Sequence, residues 1–309
     1  GPPVAGFVAG WLGWRWLFWG SALASVGVLL LMKYRVKLEW RMAKGKPFDW
    51  KGCCIYAGAM TALTFGSSEL ADAPALAGGL LVAFVGLMAA FCVKELRSDY
   101  PLLDLRLLAR NRVFALSSLA AFINYSSFFG IVFFFSLYLQ FGRGMTVQQA
   151  GLFLALQSVV QAMTTPVAAR LCGRFEPGKV SATGIALCGL GLVVCGLLRV
   201  DSPVYVLILA QCLLGVGISL FALPNTTIIL ESAGRDRVGQ AAGLTGAVRT
   251  GGQLFNMTLI TLTLGLFLGS EPAGTHNIDA FMGAMRVDLI IFGVLNLLAV
   301  GCALARNRR

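Results

Sequence analysis

Residues 113–141 read VFALSSLAAFINYSSFFGIVFFFSLYLQF, a run of 29 residues without Lys, Arg, Asp, Glu or His. A helix needs about 20 mostly apolar residues to cross the hydrocarbon core of a bilayer, so this run is long enough to span it. Arg112 lies directly before the run and Arg143 shortly after it. The stretch therefore predicts a membrane-spanning helix with charges at both ends.

Apolar stretches of this kind recur along the whole chain. Hydrophobic residues make up 57% of the sequence and charged residues 13%, about half of the roughly 25% that is usual in soluble domains. We predict an all-α polytopic membrane protein with about ten transmembrane helices. The stretches are Gly1–Gly13, Leu17–Met32, Gly52–Leu70, Pro74–Val93, Val113–Phe141, Gln149–Leu171, Val180–Val200, Pro203–Leu230, Gly239–Leu268 and Ala280–Ala305.

The first stretch is too short to span a bilayer alone, and the chain begins without Met. We therefore expect a fragment that begins inside a helix, rather than a chain that opens with a cloning scar at Gly1 and Pro2.

Basic residues are concentrated in every second gap between the apolar stretches. Twenty of the 25 Lys and Arg residues fall in every second gap. By the positive-inside rule, those gaps and the C-terminus are expected in the cytoplasm of a multi-pass plasma or inner membrane protein. The basic gaps are Lys33–Lys51, Lys94–Arg112, Arg170–Lys179, Arg235–Arg237 and Arg306–Arg309.

Other function classes find little support in the sequence. The net charge is +11. The basic residues lie at the ends of apolar segments, where they determine the membrane topology and contact anionic lipid, so we expect no nucleic-acid partner. The eight cysteines form no CxxC pair and His276 is the only histidine, so we expect no disulfide framework, metal site or cofactor. No catalytic triad or phosphate-binding loop is present, which argues against an enzyme.

One charged residue is predicted deep within a span. Arg249 lies ten residues beyond Gly239, about 15 Å into the membrane. It shares one helix face with Thr245, Gln253 and Asn256. Such a residue is expected to face a cavity or a partner, with a buried structural arginine bonded to backbone carbonyls as the alternative.

Further polar residues in the spans are candidates for a transport path. Asp288 lies about 12 Å into the last span, where a carboxyl group could exchange protons or lie in a water-filled vestibule. Gln157 and Gln161 are one helical turn apart, and Asn124 lies in the span quoted above. Their amides suit a cavity that binds amphipathic molecules.

Four motifs carry a resemblance to a known family. They are GPPVAG at 1–6 with WRWLFW at 14–19, FDWKG at 48–52, PLLDLRLL at 101–108 and RTGGQ at 249–253. In this order and spacing they resemble the fourteen-span, proton-coupled exporters of the major facilitator superfamily. The resemblance covers the whole chain.

The resemblance implies helices five to fourteen of a drug:proton antiporter. Residues 1–36 would be the last two helices of a truncated N-terminal bundle, 37–51 a cytoplasmic loop, 52–93 an inserted hairpin, 94–112 a cytoplasmic linker and 113–309 a six-helix bundle with a basic tail. Gly1, Pro2, Gly6, Gly251 and Gly252 would serve helix packing within the family motifs.

The same resemblance implies proton-coupled export of lipophilic or cationic drugs by a monomer in the lipid bilayer. The partners would be protons and a small-molecule substrate. The alternatives are a proton-coupled uptake carrier or a dedicated metabolite exporter, and, from another class, a membrane scaffold or enzyme that transports nothing.

Overall fold

The chain forms long helices joined by short connections. The computed structural model describes Val8 and residues 10–35, 49–70, 73–98, 101–234, 237–269 and 271–305, and no strand occurs among them. A π-helical turn, Tyr138–Gly142, extends α5, and a 3-10 turn, Thr275–Asn277, leads into α10. The helices are α1 (Arg15–Arg35), α2 (Trp50–Ser68), α3 (Pro74–Arg97), α4 (Arg106–Arg110), α5 (Arg112–Leu137), α6 (Val147–Arg174), α7 (Pro177–Gly196), α8 (Val204–Ala233), α9 (Val238–Leu268) and α10 (Ile278–Ala305).

Most of the predicted spans correspond to one helix each. Within the described residues, eight helical segments are long and apolar enough to cross a membrane. They match eight of the ten stretches, and the third stretch corresponds to α2, a helix of 19 residues. The first stretch, Gly1–Gly13, lies mostly outside the described residues. The predicted all-α polytopic membrane fold is confirmed.

Local side-chain hydrogen bonds set several helix ends. Thr146 and Gln149 form a reciprocal capping box, which starts α6 at Val147, two residues before the predicted span. The predicted span Val180–Val200 was too long at its C-terminal end, because α7 ends at Gly196. There the Arg199 carbonyl accepts a hydrogen bond from the Tyr138 hydroxyl at 2.9 Å, in place of a helical partner.

The six helices from α5 to α10 pack with an internal pseudo-twofold pattern. Helix α5 packs against α9 and α10, and α8 correspondingly packs against α6 and α7. Helix α5 also packs against α8, and α7 packs against α10. If α5, α6 and α7 are exchanged with α8, α9 and α10 in that order, the same set of contacts results. Because each repeat has three spans, the second repeat crosses the membrane in the opposite direction, as in transporters built from inverted repeats.

The hairpin of α2 and α3 is attached to this six-helix unit through α9. The Ser67 and Thr258 hydroxyls lie 2.7 Å apart at one end of the contact. At the other end, Asp104 in the linker pairs with Arg237 before α9 at 3.4 Å. These contacts fix one side of α9 against the hairpin.

The linker after α3 is anchored at the end of the bundle that carries most basic residues, called the basic end below. Glu95 is fully buried and accepts a hydrogen bond from the Leu103 N–H at 2.8 Å. The guanidinium of Arg106 donates to the carbonyls of Leu96 and Ser98 at 2.7 and 3.1 Å. The buried carboxyl group of Glu95 and the guanidinium fork of Arg106 therefore hold the linker against α3.

Candidate functional site

Arg249 lies exposed in the middle part of α9. It is 11 residues beyond Val238, about 16 Å along the helix. No hydrogen bond or ion pair joins its guanidinium to the described part of the chain, so it is not a buried arginine bonded to carbonyls. Thr258, which contacts the hairpin, lies nine residues further on and therefore about 180° around the helix. Arg249 thus points away from the hairpin.

The side of α9 that carries Arg249 faces α5. Gly252, three residues after Arg249, lies against the Phe122 carbonyl and the Ser126 hydroxyl of α5, which flank Tyr125 in the sequence. The Tyr125 phenol lies in the field of the Arg249 guanidinium. The Tyr125 ring packs edge-on against Phe221 of α8, with ring centroids 6.2 Å apart. Gln253 follows Arg249 by one turn and is half-buried. We call the surface formed by Tyr125, Arg249 and Gln253 the open face.

A buried polar pair lies further along α9. Asn256 of α9 is fully buried, and Asp288 of α10 is 1% exposed. The Asn256 amide nitrogen lies 3.5 Å from one carboxyl oxygen of Asp288. The other carboxyl oxygen of Asp288 and the amide oxygen of Asn256 have no partner among the described residues. A methyl group on Gly130 of α5 would lie 2.8 Å from that amide oxygen. Asp288 therefore lies inside the bundle and not in an outer vestibule.

A second amide cluster lies between α5 and α10. The Asn124 amide donates to the Asn296 side-chain oxygen at 2.9 Å. Asn296 in turn donates to the Ser127 hydroxyl and to the Phe292 carbonyl, each at 2.9 Å. Asn124 is 1% exposed in this cluster and does not lie on the open face, and its own side-chain oxygen has no hydrogen-bond partner among the described residues.

Sequence reasoning missed Asn296. It follows Asp288 by eight residues, which places both on one face of α10 about two turns apart. The eight-residue spacing from Asp288 could have identified Asn296 as a second polar residue on the same face of the helix.

The glutamines of α6 lie at its contact with α8. Gln157 is buried and its amide nitrogen has no partner among the described residues, and the same holds for both side-chain polar atoms of Gln211 on α8. Gln161 is half-buried, and its carbonyl accepts a hydrogen bond from the Ser219 hydroxyl at 2.9 Å. Neither Gln157 nor Gln161 joins the open face, so the structure divides the predicted path residues between several places.

The glycines expected to pack helices differ from one another. A methyl group on Gly252 would lie 2.8 Å from the Phe122 carbonyl, whereas one on Gly251 would meet no described atom within 4 Å. Gly251 shows no such close contact, and its packing role stays a prediction. Gly1, Pro2 and Gly6 lie outside the described residues.

Comparison with known proteins identifies the family. The model of the "Major Facilitator Superfamily" matches residues 1–255 and 117–309, which together cover the whole chain. The chain belongs to the major facilitator superfamily. The family assignment made from the sequence is confirmed, and this family is one of multi-pass membrane transporters and not of enzymes.

Individual members of the family are related to this chain over most of its length. The chain is 29% identical to the tetracenomycin C resistance and export protein of Streptomyces glaucescens over 88% of its residues and 50% of the relative. It is 29% identical to the uncharacterized transporter YebQ of Escherichia coli over 89% of the chain and 60% of the relative. It is 22% identical to the riboflavin transporter RibZ of Clostridioides difficile over 81% and 54%. The chain thus spans about half the length of these relatives.

Proposed function

We propose that this superfamily member works as a proton-coupled exporter of lipophilic, drug-like small molecules. The observation that carries the proposal is the position of Asp288. A carboxyl group buried at this depth is costly to keep charged and is a functional site by default in membrane proteins. Within the described residues no Lys, Arg or His pairs with it, so its charge depends on the proton it holds.

Helix α9 would couple the proton to the substrate. Asn256, which contacts Asp288, and Arg249, on the open face, lie seven residues apart on this helix, about 10 Å along its axis. A charged Asp288 needs the Asn256 amide as a hydrogen-bond donor, whereas a protonated one can itself donate to the Asn256 oxygen. A change in this contact would shift α9 and with it the open face.

The predicted architecture fits this mechanism. The hairpin of residues 52–93 would be the insert between two bundles, and residues 113–309 the C-terminal bundle that rocks about a substrate site. The protein would work as a monomer in the plasma or inner membrane, with the basic end and the C-terminus in the cytoplasm. The relative named as a resistance and export protein supports export as the direction.

The test is transport by inverted membrane vesicles from cells that produce the complete protein. Acidifying the vesicle interior should drive accumulation of a fluorescent lipophilic probe, and a protonophore should abolish it. Vesicles from cells without the gene serve as the control. Accumulation that persists unchanged in the presence of the protonophore would refute proton coupling.

A second candidate is a carrier dedicated to one metabolite, in either direction. It is favoured by the relative named as a riboflavin transporter. The two proposals differ in selectivity, because a dedicated carrier accumulates one compound and ignores unrelated lipophilic probes. Comparing right-side-out with inverted vesicles separates uptake from export.

A further inference from the structure

We infer that the open face binds a negatively charged group of the transported molecule, such as a carboxylate, phenolate or sulfonate. The inference rests on the proposed function, because it names the substrate class of the same transporter. It replaces the cationic class that the family resemblance implied. Arg249 and Tyr125 would hold the anion, and Gln253 would donate a further hydrogen bond.

The three side chains of the open face all offer hydrogen-bond donors. The guanidinium of Arg249 has five N–H groups in a planar fork that matches a carboxylate, and none of them meets a partner in the described part of the chain. The Tyr125 hydroxyl makes no hydrogen bond to the described residues, although it lies in the field of the guanidinium. The amide of Gln253 supplies two more N–H groups one turn away.

No carboxylate on this surface could balance a cation. Within the described spans, the acidic residue nearest in depth is Asp288, and its side chain is turned into the bundle with 1% of its surface exposed. The remaining described acids lie at helix ends or in connections, such as Glu69 after α2 and Glu231 near the end of α8. Among the described residues, a cation on the open face would therefore meet the positive charge of Arg249 and no carboxylate.

A second exposed arginine provides the matched comparison. Arg286 lies on α10, eight residues after Ile278, about 12 Å from the start of the helix. It is exposed like Arg249, but its backbone carbonyl lies beside Gly196 of α7. It is also close enough to the helix end for a long side chain to reach the membrane surface. The structure thus assigns anion binding to Arg249 and not to Arg286.

The test measures binding of three pyrene probes that differ only in their terminal group. The complete protein is placed in phosphatidylcholine nanodiscs and titrated with pyrenebutanoate, pyrenebutanol and pyrenebutyl-trimethylammonium, with empty nanodiscs as the blank. Pyrenebutanoate should bind saturably and the most tightly. Arg249→Gln should weaken it about 10- to 100-fold, as expected for a lost charge-assisted hydrogen bond. It should leave pyrenebutanol nearly unchanged.

Further variants separate a direct contact from a structural effect. Arg249→Lys should recover part of the affinity, because the charge remains but the fork is lost. Tyr125→Phe should weaken pyrenebutanoate several-fold without affecting the cationic probe. Arg286→Gln should behave like the wild type. Thermal unfolding of each variant shows whether it is folded.

Several results would overturn the inference. One is binding of pyrenebutanoate that Arg249→Gln leaves unchanged, and another is tighter binding of the cationic probe than of the anionic one. Equal weakening by Arg286→Gln would show a non-specific charge effect. Adding phosphatidylglycerol to the nanodiscs at an ionic strength that screens its surface charge distinguishes a lipid headgroup from a free anion, since loss of pyrenebutanoate binding there would identify the lipid as the ligand. None of these results depends on proton coupling, which the vesicle assay tests separately.

Discussion

Replacing Gly184 by alanine tests the closest helix crossing in the structure. Gly184 of α7 faces α8, where an added methyl carbon would lie 2.6 Å from the Phe221 amide nitrogen and 2.7 Å from the Gly217 carbonyl oxygen. Both atoms belong to the backbone, so no side chain can rotate away to make room. Helices α7 and α8 would have to move apart, although small residues at this crossing are what lets them pack closely.

The expected cost follows from two opposing effects. Overpacking a tight contact costs about 1–3 kcal/mol, and a backbone clash belongs at the upper end. Alanine gains at most about 1 kcal/mol over glycine in helix propensity. Gly184→Ala should therefore destabilise the protein by about 2 kcal/mol. Gly265→Ala on α9, where a methyl group meets no described atom within 4 Å, serves as the matched control and should cost nothing or stabilise slightly.

Equilibrium unfolding in mixed detergent and SDS measures both free energies. The double variant of Gly184 and Gly217 adds a second criterion, because residues in direct contact give non-additive effects. A Gly184→Ala protein as stable as Gly265→Ala would refute the close crossing of α7 and α8.

Three further predictions concern topology, charge and polar packing. Cysteines placed within Ser270–Asp279 should react with an impermeant reagent outside the cell, whereas those within Arg235–Val238 should not, and the reverse pattern would invert the proposed orientation. Burial raises the pKa of Asp49, but the ion pair with Lys94 of α3 and the hydrogen bond from the Gly52 N–H of α2 together lower that pKa below its usual value of 3.8. The ion pair therefore stabilises the fold above pH 3.8 and is lost as the pH falls below it, so Asp49→Asn should lower thermal stability at pH 7 and have little effect at low pH. Asn124→Ala should cost about 1–3 kcal/mol in the same unfolding assay, because it leaves Asn296 unsatisfied, and an unchanged stability would argue against the amide cluster.

The sequence predicted the helices well because their signal is local. Long apolar runs bounded by charges locate a span without any knowledge of its neighbours, and the described spans agree with this pattern. Helix ends were predicted less well, as at Gly196, because hydrogen bonds from distant side chains decide where α7 stops.

The candidate site was predicted only in part, because its geometry depends on contacts between distant residues. The spacing of Arg249 and Asn256 placed both on one face of α9, but the open side of the bundle exposes Arg249 while α5 and α10 bury Asn256. Likewise Gly251 and Gly252 are adjacent in the sequence, and the position of α5 decides that Gly252 lies against its backbone. The contact between Asn256 and Asp288 joins two helices, and the sequence of neither helix alone indicates it.

The most direct test of the proposed mechanism compares two modes of transport by Asp288→Asn. The complete protein is reconstituted in liposomes with a labelled substrate. Accumulation driven by a proton gradient is measured beside exchange of labelled for unlabelled substrate without a gradient. If Asp288 carries the proton, the variant should lose accumulation and keep exchange close to the wild-type rate, because the open face remains intact. Gradient-driven accumulation at the wild-type level by a well-folded Asp288→Asn protein would contradict the mechanism.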